Sequence, residues 1–330
     1  MRIKVGDFKI GQEERQAINE VLDSGRISEG QKTREFEQKW AEYIGTKYCV
    51  AVNSGTSALM ASLYTLKQLY GVKGDVLTHK TTFVATHNAI RACGLNPIFE
   101  GEADVAIPVH LFGYPHFLNA KYVIEDACQA HGSLYQGKRL GSFGIMGCFS
   151  FYIAHNIQAG EMGAVVTDSL ECYKTLKKIK AHGRLCDCPV CLRPEGKCPR
   201  PVEPDPRFTY DMFGLNFKTT EFQAALALCQ LKKANWIMKT RQRNVRYLNN
   251  GLKDIPELTL PKFSKDISYL AYPILCENRK DIRQRLEEAG IESRPIFNDT
   301  KGFYIGVHQY LTQEDLDYII LTFHKIYGIS

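Results

Sequence analysis

Short apolar runs with a period of two residues alternate along this chain with longer runs whose apolar residues recur every three to four positions. This alternation of strands and helices is typical of an α/β fold. Because most of the short runs are apolar throughout, we expect a mostly parallel sheet that is buried on both faces. The predicted strands are YCVAVN, DVLT, NPIFE, VAIPVHL, KYVIED, CFSFY and GAVVT.

Amphipathic helices are predicted between and around these strands, at EERQAINEVLDSG, TREFEQKWAEYIG, SGTSALMASLYTL, TFVATHNAIRAC and SLECYKTLKKIKAH. From about Thr219 the pattern changes to long helices and one strand, YLAYPILC. We therefore predict a large domain over residues 1–235 and a smaller C-terminal α/β domain over residues 236–330. The span 184–206 is rich in cysteine and proline, which predicts an irregular insertion.

Composition and charge narrow the class of protein. The chain has 330 residues, 44% of them hydrophobic and 24% charged, as is ordinary for a globular protein. Its net charge of +6 is spread along the sequence, which favours a phosphorylated small molecule over nucleic acid as a partner. No stretch has the length of a signal peptide or the ~20 apolar residues of a membrane span. We expect a cytosolic protein that does not contact membranes.

The chain has eleven cysteines; ten of them fall into two groups, and Cys128 belongs to neither. Structural disulfides are rare in a reducing compartment, so a cluster of cysteines indicates a metal or redox role. Four of them cluster in CDCPVCLRPEGKC, at Cys186, Cys188, Cys191 and Cys198. Six others stand among apolar residues and are predicted to be buried: Cys49, Cys93, Cys148, Cys172, Cys229 and Cys276.

Two motifs follow predicted strands at the edge where α/β sheets bind ligands. In NSGTSAL, residues 53–59, small and hydroxyl residues stand where a strand meets a helix, so free backbone N–H groups could hold a phosphate. For this motif taken alone, a plain turn with a helix cap is the better explanation. In VIEDACQAHG, Asp126 ends a buried strand and could pair with a protonated pyridine nitrogen or with an arginine.

The order and spacing of six motifs resemble one known family. They are NSGTSAL, TTFVATHNAI, PVHLFGYP, VIEDACQAHGSLYQGKRLGSFG, FSFYIAHN and GLNFKTTEFQAALALCQL. The chain is similar over most of residues 1–235 to the DegT/StrS group of nucleotide-sugar aminotransferases. The resemblance implies a fold type I enzyme that uses pyridoxal phosphate or pyridoxamine phosphate.

The same resemblance implies roles for individual residues. Gly55, Thr56 and Ser150 would hold the cofactor phosphate, and Phe83 would stack on the ring. Asp126 would pair with the pyridine nitrogen, and Gln129 would lie near the ring hydroxyl. Asn216 would reach the phosphate in a neighbouring subunit, so the resemblance implies at least a homodimer.

One position departs from the family pattern. The residue five after the loop serine is the lysine that binds the cofactor covalently in the family, but here it is His155. Imidazole forms no stable Schiff base, although it can move protons near neutral pH. This change marks a subgroup that uses pyridoxamine phosphate to remove the 3-hydroxyl of 4-keto-6-deoxy nucleotide sugars. We therefore expect His155 to be the catalytic base of such a 3-dehydrase.

Two branches of this subgroup differ in the source of electrons for the step that follows loss of the hydroxyl. One, resembling GDP-4-keto-6-deoxymannose 3-dehydratase, regenerates the amine from glutamate. The other, resembling CDP-6-deoxy-L-threo-D-glycero-4-hexulose-3-dehydrase, uses a [2Fe-2S] cluster with the pattern C-X57-C-X-C-X7-C. Here 57 residues separate Cys128 from Cys186, and Cys188 follows after one more. Position 196 is Gly196, so the fourth ligand would be Cys198, with Cys191 as the alternative.

A cluster on Cys128 would lie close to the ring that Asp126 holds, since two residues of extended chain span only ~7 Å. The chain has no sequence fingerprint of a flavin- or nicotinamide-binding enzyme. An enzyme with a [2Fe-2S] cluster would therefore need a separate reductase to supply its electrons. The alternatives are a glutamate-regenerated enzyme with a structural zinc on Cys186, Cys188, Cys191 and Cys198, and a non-catalytic redox sensor. The segment near 297–303 is shorter than the family's usual one, and His308 is predicted to be an exposed loop residue.

Overall fold

A computed structural model of the chain describes residues 3–186, 196–198, 203–297 and 299–329. The helices are α1 (Gln12–Asp23), α2 (Gln31–Ile44), α3 (Gly55–Tyr70), α4 (Val84–Ala92), α5 (Leu170–Ile179), α6 (Glu221–Lys232), α7 (Ala234–Leu252), α8 (Arg279–Glu288), α9 (Gln313–Tyr327) and a 3₁₀ turn at Leu111–Gly113. The strands are β1 (Tyr48–Val52), β2 (Asp75–Thr78), β3 (Asn96–Ile98), β4 (Val105–Ile107), β5 (Tyr122–Asp126), β6 (Leu134–Tyr135), β7 (Lys138–Arg139), β8 (Met146–Ser150), β9 (Gly163–Thr167), β10 (Tyr272–Leu275), β11 (Ser293–Pro295) and β12 (Gly302–Ile305).

The central sheet has seven strands in the order β1-β9-β8-β5-β4-β2-β3. Strand β9 pairs antiparallel with both of its neighbours, whereas the pairs β8-β5, β5-β4, β4-β2 and β2-β3 are parallel. The sheet is therefore mostly parallel, as predicted. Strand β4 is shorter than expected and ends at Ile107, because Pro108 has no N–H to continue the ladder.

Apolar clusters cover both faces of this sheet. One cluster includes Leu63 and Leu66 of α3 together with Cys172 of α5, and the other is built around Trp40 of α2 and Phe149 of β8. Apolar strands can be buried on both faces only when helices cover them, which explains why their sequences do not alternate. The six scattered cysteines that were predicted to be buried are all buried: Cys49, Cys93, Cys148, Cys172, Cys229 and Cys276.

The C-terminal part forms a second sheet, β10-β12-β11, whose pairs are antiparallel. Helix α9 supplies Ile319 and Phe323 to the apolar core of this part. Ile3 from the N-terminus belongs to the same core and bridges to Ile291, so the first residues of the chain pack with the last third. The division at residue 235 stays a prediction.

The prediction that His308 is exposed is wrong, because its side chain is 4% exposed and packs near Arg241. Burial and the Arg241 charge lower the pKa of His308 to about 4.

Cys188 and Cys191 of the insertion lie outside the described residues. No helix within the described ranges is both long and apolar enough to span a membrane.

Candidate functional site

Three strand ends meet at one edge of the central sheet. Val52 at the end of β1 and Ser150 at the end of β8 both lie opposite Gly163 of β9. Asp126 at the end of β5 lies opposite Cys148 of β8. The strand register therefore brings together two motifs and a loop that are far apart in the sequence.

The turn after β1 forms a cradle at the N-terminus of α3. Ser54 caps the helix, because its hydroxyl accepts a 3.1 Å hydrogen bond from the Ser57 N–H. A Cβ on Gly55 would lie 2.6 Å from the Ser150 Cβ and 2.9 Å from the Cys128 Sγ, so only glycine fits there. Gly55, Thr56 and Ser150 line a cavity in front of the helix. A helix N-terminus with free N–H groups at such a cavity suits a phosphate.

Asp126 lies at the bottom of the same cavity and is 5% exposed. Its Oδ2 accepts a 2.8 Å hydrogen bond from the Thr86 hydroxyl of α4, and its Oδ1 accepts one of 3.3 Å from the Cys128 N–H. Among the described residues no lysine or arginine forms an ion pair with it at or below 4.0 Å. The carboxylate is therefore oriented by neutral donors and can receive a cationic group of a ligand.

His155 has a defined tautomer. Its Nδ1 lies 2.8 Å from the Ser150 carbonyl oxygen, and because a carbonyl can only accept, Nδ1 carries the proton. The lone pair is then on Nε2. Burial lowers the pKa of His155, although the Ser150 carbonyl and the Asp126 charge act in the opposite direction. A neutral imidazole with a free Nε2 lone pair is a general base.

The cavity has a volume of about 920 Å³ and lies between the sheet edge and the C-terminal part. Phe83, which is 55% exposed, lines it and contacts the Phe297 ring at a centroid distance of 5.5 Å. Gln129 lines it as well, and its Oε1 accepts a hydrogen bond of 3.0 Å from the Phe112 N–H. The cavity is thus large enough for a ligand several times the size of a phosphate.

The structure brings most of the predicted site residues to this one cavity: Gly55, Thr56, Phe83, Asp126, Cys128, Gln129, Ser150 and His155. Asn216 does not line it. Its side chain is exposed, and its carbonyl accepts a 3.4 Å hydrogen bond from Asn53. An exposed position suits contact with another subunit, and that contact stays a prediction.

The predicted metal ligands are not gathered in the same way. Cys128 lines the cavity, whereas Cys186 and Cys198 are partly exposed residues of the insertion. Within the described ranges, no group of three or more His, Cys, Asp or Glu side chains is arranged to hold a metal ion. Cys188 falls outside those ranges. The described residues show no such cluster, and the assignment of Cys128, Cys186, Cys188 and Cys198 as its ligands stays a prediction.

Sequence reasoning missed several residues of the cavity. In the sequence, Arg279 lies before the shortened segment and Arg294 lies in β11. Both side chains line the wall of the cavity that faces the sheet edge. Arg294 is paired with Glu292 at 2.9 Å. Thr86 was also missed, although it stands one helical turn after Thr82 and faces the same way. The arginines could not be found from sequence, because only the packing of the C-terminal part brings them near β5 and β8.

Comparisons with known proteins agree with this geometry. The model of a family described as the DegT/DnrJ/EryC1/StrS aminotransferase family matches residues 9–111 and 105–316. The lipopolysaccharide biosynthesis protein RfbH of Salmonella typhimurium is 30% identical, over 97% of this chain and 91% of that protein.

Two solved structures share the fold. A GDP-4-keto-6-deoxymannose-3-dehydratase variant with bound GDP-perosamine is 23% identical with a TM-score of 0.86, over 97% of this chain and 99% of that one. The E. coli GDP-4-keto-6-deoxy-D-mannose-3-dehydratase with bound hydrated PLP is 23% identical with a TM-score of 0.85, over 98% of this chain and 99% of that one. These similarities confirm the predicted α/β fold.

Proposed function

Because the chain belongs to the DegT/DnrJ/EryC1/StrS aminotransferase family, we propose that it is a pyridoxamine-phosphate-dependent 3-dehydrase of a 4-keto-6-deoxy nucleotide sugar. The observation that carries this proposal is the position and tautomer of His155. A histidine stands where the family pattern has a lysine, and its Nε2 lone pair is available at a cavity that also contains Asp126. Such a residue can move a proton but cannot bind the cofactor covalently.

The residues of the cavity fit pyridoxamine phosphate. The cradle of Gly55, Thr56 and Ser150 suits its phosphate, and the Asp126 carboxylate suits its protonated ring nitrogen. When bound, this cofactor supplies a primary amine that reacts with a ketone and a ring that withdraws electrons. Phe83 and Gln129 are proposed to contact the ring, and Asn216 to act across a homodimer.

His155 would perform the proton transfers. With Nδ1 held by the Ser150 carbonyl, Nε2 can accept a proton in the cavity and return it to the departing 3-hydroxyl, which leaves as water. A lysine at this position would compete as a nucleophile for the aldehyde form of the cofactor. The substitution therefore favours dehydration over transamination.

A nucleotide sugar is the proposed substrate. The cavity of about 920 Å³ extends from Asp126 to the two arginines Arg279 and Arg294. Guanidinium groups suit the diphosphate of such a molecule. A structural relative was solved with GDP-perosamine, which is a nucleotide sugar. The nucleotide and the sugar of this chain stay open.

Replacing a C–O bond by a C–H bond at C3 requires two electrons, and two sources are considered. The spacing of Cys128, Cys186 and Cys188 favours a [2Fe-2S] cluster with Cys198 as fourth ligand, fed by a separate reductase. Among the described residues, the cysteines are not grouped to hold a metal. The alternative is glutamate, which gives two electrons as it becomes 2-oxoglutarate and ammonia. In that case the insertion could hold a structural zinc.

The test incubates anaerobically purified protein with pyridoxamine phosphate and GDP-, CDP- or dTDP-linked 4-keto-6-deoxy sugars, in one arm with glutamate and in another with a chemical electron donor. We expect a 3-deoxy product, which mass spectrometry identifies by the loss of one oxygen atom. His155→Asn is the matched control and should give no product. An amino sugar with the 3-oxygen retained would contradict the proposal and indicate a transaminase.

A further inference from the structure

His131 belongs to the motif that follows β5, but it does not line the cavity. Its side chain is 1% exposed and packs against the segment that carries His155. The two imidazole rings are 6.1 Å apart between centroids, at an interplanar angle of 75°. A buried titratable group so close to the proposed base requires an explanation.

Aromatic neighbours fix the plane of the His131 ring. The ring is stacked on Phe151 at 5.2 Å and 10° and on Phe149 at 5.8 Å and 26°. The edge of Trp40 closes a third side at 5.5 Å and 90°. Because Phe149 and Phe151 flank Ser150, the ring is packed against the start of the His155 segment.

A hydrogen bond ties the same ring to the end of that segment. The Ile157 N–H donates to the His131 Nδ1 at 3.3 Å. An N–H group can only donate, so Nδ1 carries the lone pair and the proton is on Nε2. Burial keeps the ring neutral by lowering its pKa well below the usual value. Nε2 has no hydrogen bond to a described residue, although the Ser150 carbonyl is near enough to act on the pKa of the ring.

Between these two anchors the chain turns back on itself. The His155 N–H donates to the Tyr152 carbonyl at 2.9 Å, and the Ala159 N–H donates to the Phe151 carbonyl at 2.8 Å. The bond from His155 Nδ1 to the Ser150 carbonyl closes the turn. The orientation of His155 therefore depends on how the two ends of this short segment are placed relative to each other.

We propose that His131 is a positioning residue for His155, with its ring fixing the start of the segment and its Nδ1 fixing the Ile157 N–H at the end. A phenylalanine could supply the ring and an asparagine could supply the acceptor, but histidine combines both in one side chain. The consequence for catalysis rests on the proposed function, since it assumes that His155 is the base.

Four charged or titratable side chains of the described residues face His155. Asp126 faces it from the end of β5, Arg241 from α7, and His131 from the turn after β5. The ring of Tyr152, on the same segment, lies 5.9 Å from the His155 ring between centroids. The Arg241 side chain is fully buried, and it donates hydrogen bonds to the carbonyls of Tyr269 and Leu270. Of these groups the test changes only His131.

The test compares the variants His131→Phe and His131→Asn. His131→Phe keeps an aromatic ring between Phe149 and Phe151 but removes the acceptor, whereas His131→Asn places an amide oxygen near the former Nδ1. Hydrogen exchange of the peptide that contains Ile157 reports the bond directly. The pH titration of His155, followed by ¹⁵N NMR of labelled imidazoles, reports its tautomer. Turnover is measured as a function of pH.

In His131→Phe we expect faster exchange at Ile157, an altered His155 titration, and kcat lowered by up to about 100-fold with little change in KM. His131→Asn should restore most of the exchange protection and part of kcat. Wild-type exchange and titration in His131→Phe would overturn the proposal, as would equal losses in both variants. If neither variant folds, ¹⁵N NMR of the unmodified protein decides, because a proton on the His131 Nδ1 would contradict the bond. Exchange and NMR do not need turnover, so a failure of the proposed function would leave them readable.

Discussion

The Nδ1 of His155 donates a 2.8 Å hydrogen bond to the carbonyl of Ser150, the residue five positions earlier that also lines the proposed phosphate cradle. One residue thus belongs to two parts of the site: its side chain faces the cradle and its carbonyl sets the tautomer of the proposed base. Any change at position 155 should therefore alter the chemistry more than the binding of the cofactor.

The first prediction concerns covalent attachment of the cofactor. Treatment with borohydride should leave no pyridoxyl group on the wild-type polypeptide, because imidazole forms no stable Schiff base. In His155→Lys, the lysine should form a yellow, reducible linkage with pyridoxal phosphate and shift the reaction toward transamination with glutamate. Peptide mass spectrometry locates the modified residue. A pyridoxyl-lysine in the wild type, or its absence from the variant, would contradict the assignment of this loop.

The second prediction concerns pH. Burial lowers the pKa of His155 below the usual value of 6.5, so the ring takes up its proton at a lower pH than an ordinary histidine does. The acid limb of kcat/KM should then lie below pH 6.5, with a tenfold loss for each pH unit further down. An acid limb above pH 6.5 would mean that the Asp126 charge outweighs the burial.

The third prediction concerns the ring nitrogen of the cofactor. Asp126→Asn removes the negative charge at the bottom of the cavity, so the affinity for pyridoxamine phosphate should fall strongly. Thr86→Val removes only the hydroxyl that donates to Asp126, and a hydrogen bond to a charged group is worth about 1.5–3 kcal/mol. The dissociation constant of the Thr86→Val variant for pyridoxamine phosphate should therefore rise by roughly 10- to 100-fold. Titration monitored by tryptophan or cofactor fluorescence measures both, and equal affinities in Asp126→Asn and the wild type would exclude the pairing.

The fourth prediction concerns the cysteines. If Cys128, Cys186, Cys188 and Cys198 bind [2Fe-2S], each alanine variant should lose iron and sugar reduction but retain cofactor binding, since Asp126 and the phosphate cradle are unchanged. Cys191→Ala is the matched control and should be nearly silent. Iron, sulfide and zinc analysis of anaerobic protein checks this. Stoichiometric zinc without iron, together with full activity in Cys128→Ala, would instead favour the glutamate-dependent route.

The fifth prediction concerns stability next to the site. The fully buried Glu125 carboxylate accepts four hydrogen bonds, from the His110 ring and from the backbone N–H groups of Gly141, Phe143 and Gly144. Glu125→Gln replaces one acceptor by a donor and should lower the free energy of unfolding by about 1–3 kcal/mol. Urea unfolding measures the change. The exposed Glu102→Gln should differ from the wild type by less than about 0.5 kcal/mol.

The sequence was sufficient for those features that depend on local pattern. Period and composition predicted the mostly parallel sheet, and the apolar neighbours of Cys148 and Cys172 predicted their burial. The motif around Asp126 and the substitution at His155 predicted a cofactor site and its unusual base. The sheet and burial predictions were confirmed because strand burial is a property of short segments, whereas the roles of Asp126 and His155 stay predictions.

Only the tertiary structure decided which side chains meet. The register of β1, β9 and β8 places Ser150 against Gly55. The packing of the C-terminal part brings Arg294 across from them and buries His308, which the sequence analysis predicts to be exposed. The place of His131 between Phe149, Phe151 and the Ile157 N–H could not be derived from its motif. Contacts between residues distant in sequence follow from the packing of whole elements, and the chain's local preferences do not encode them one by one.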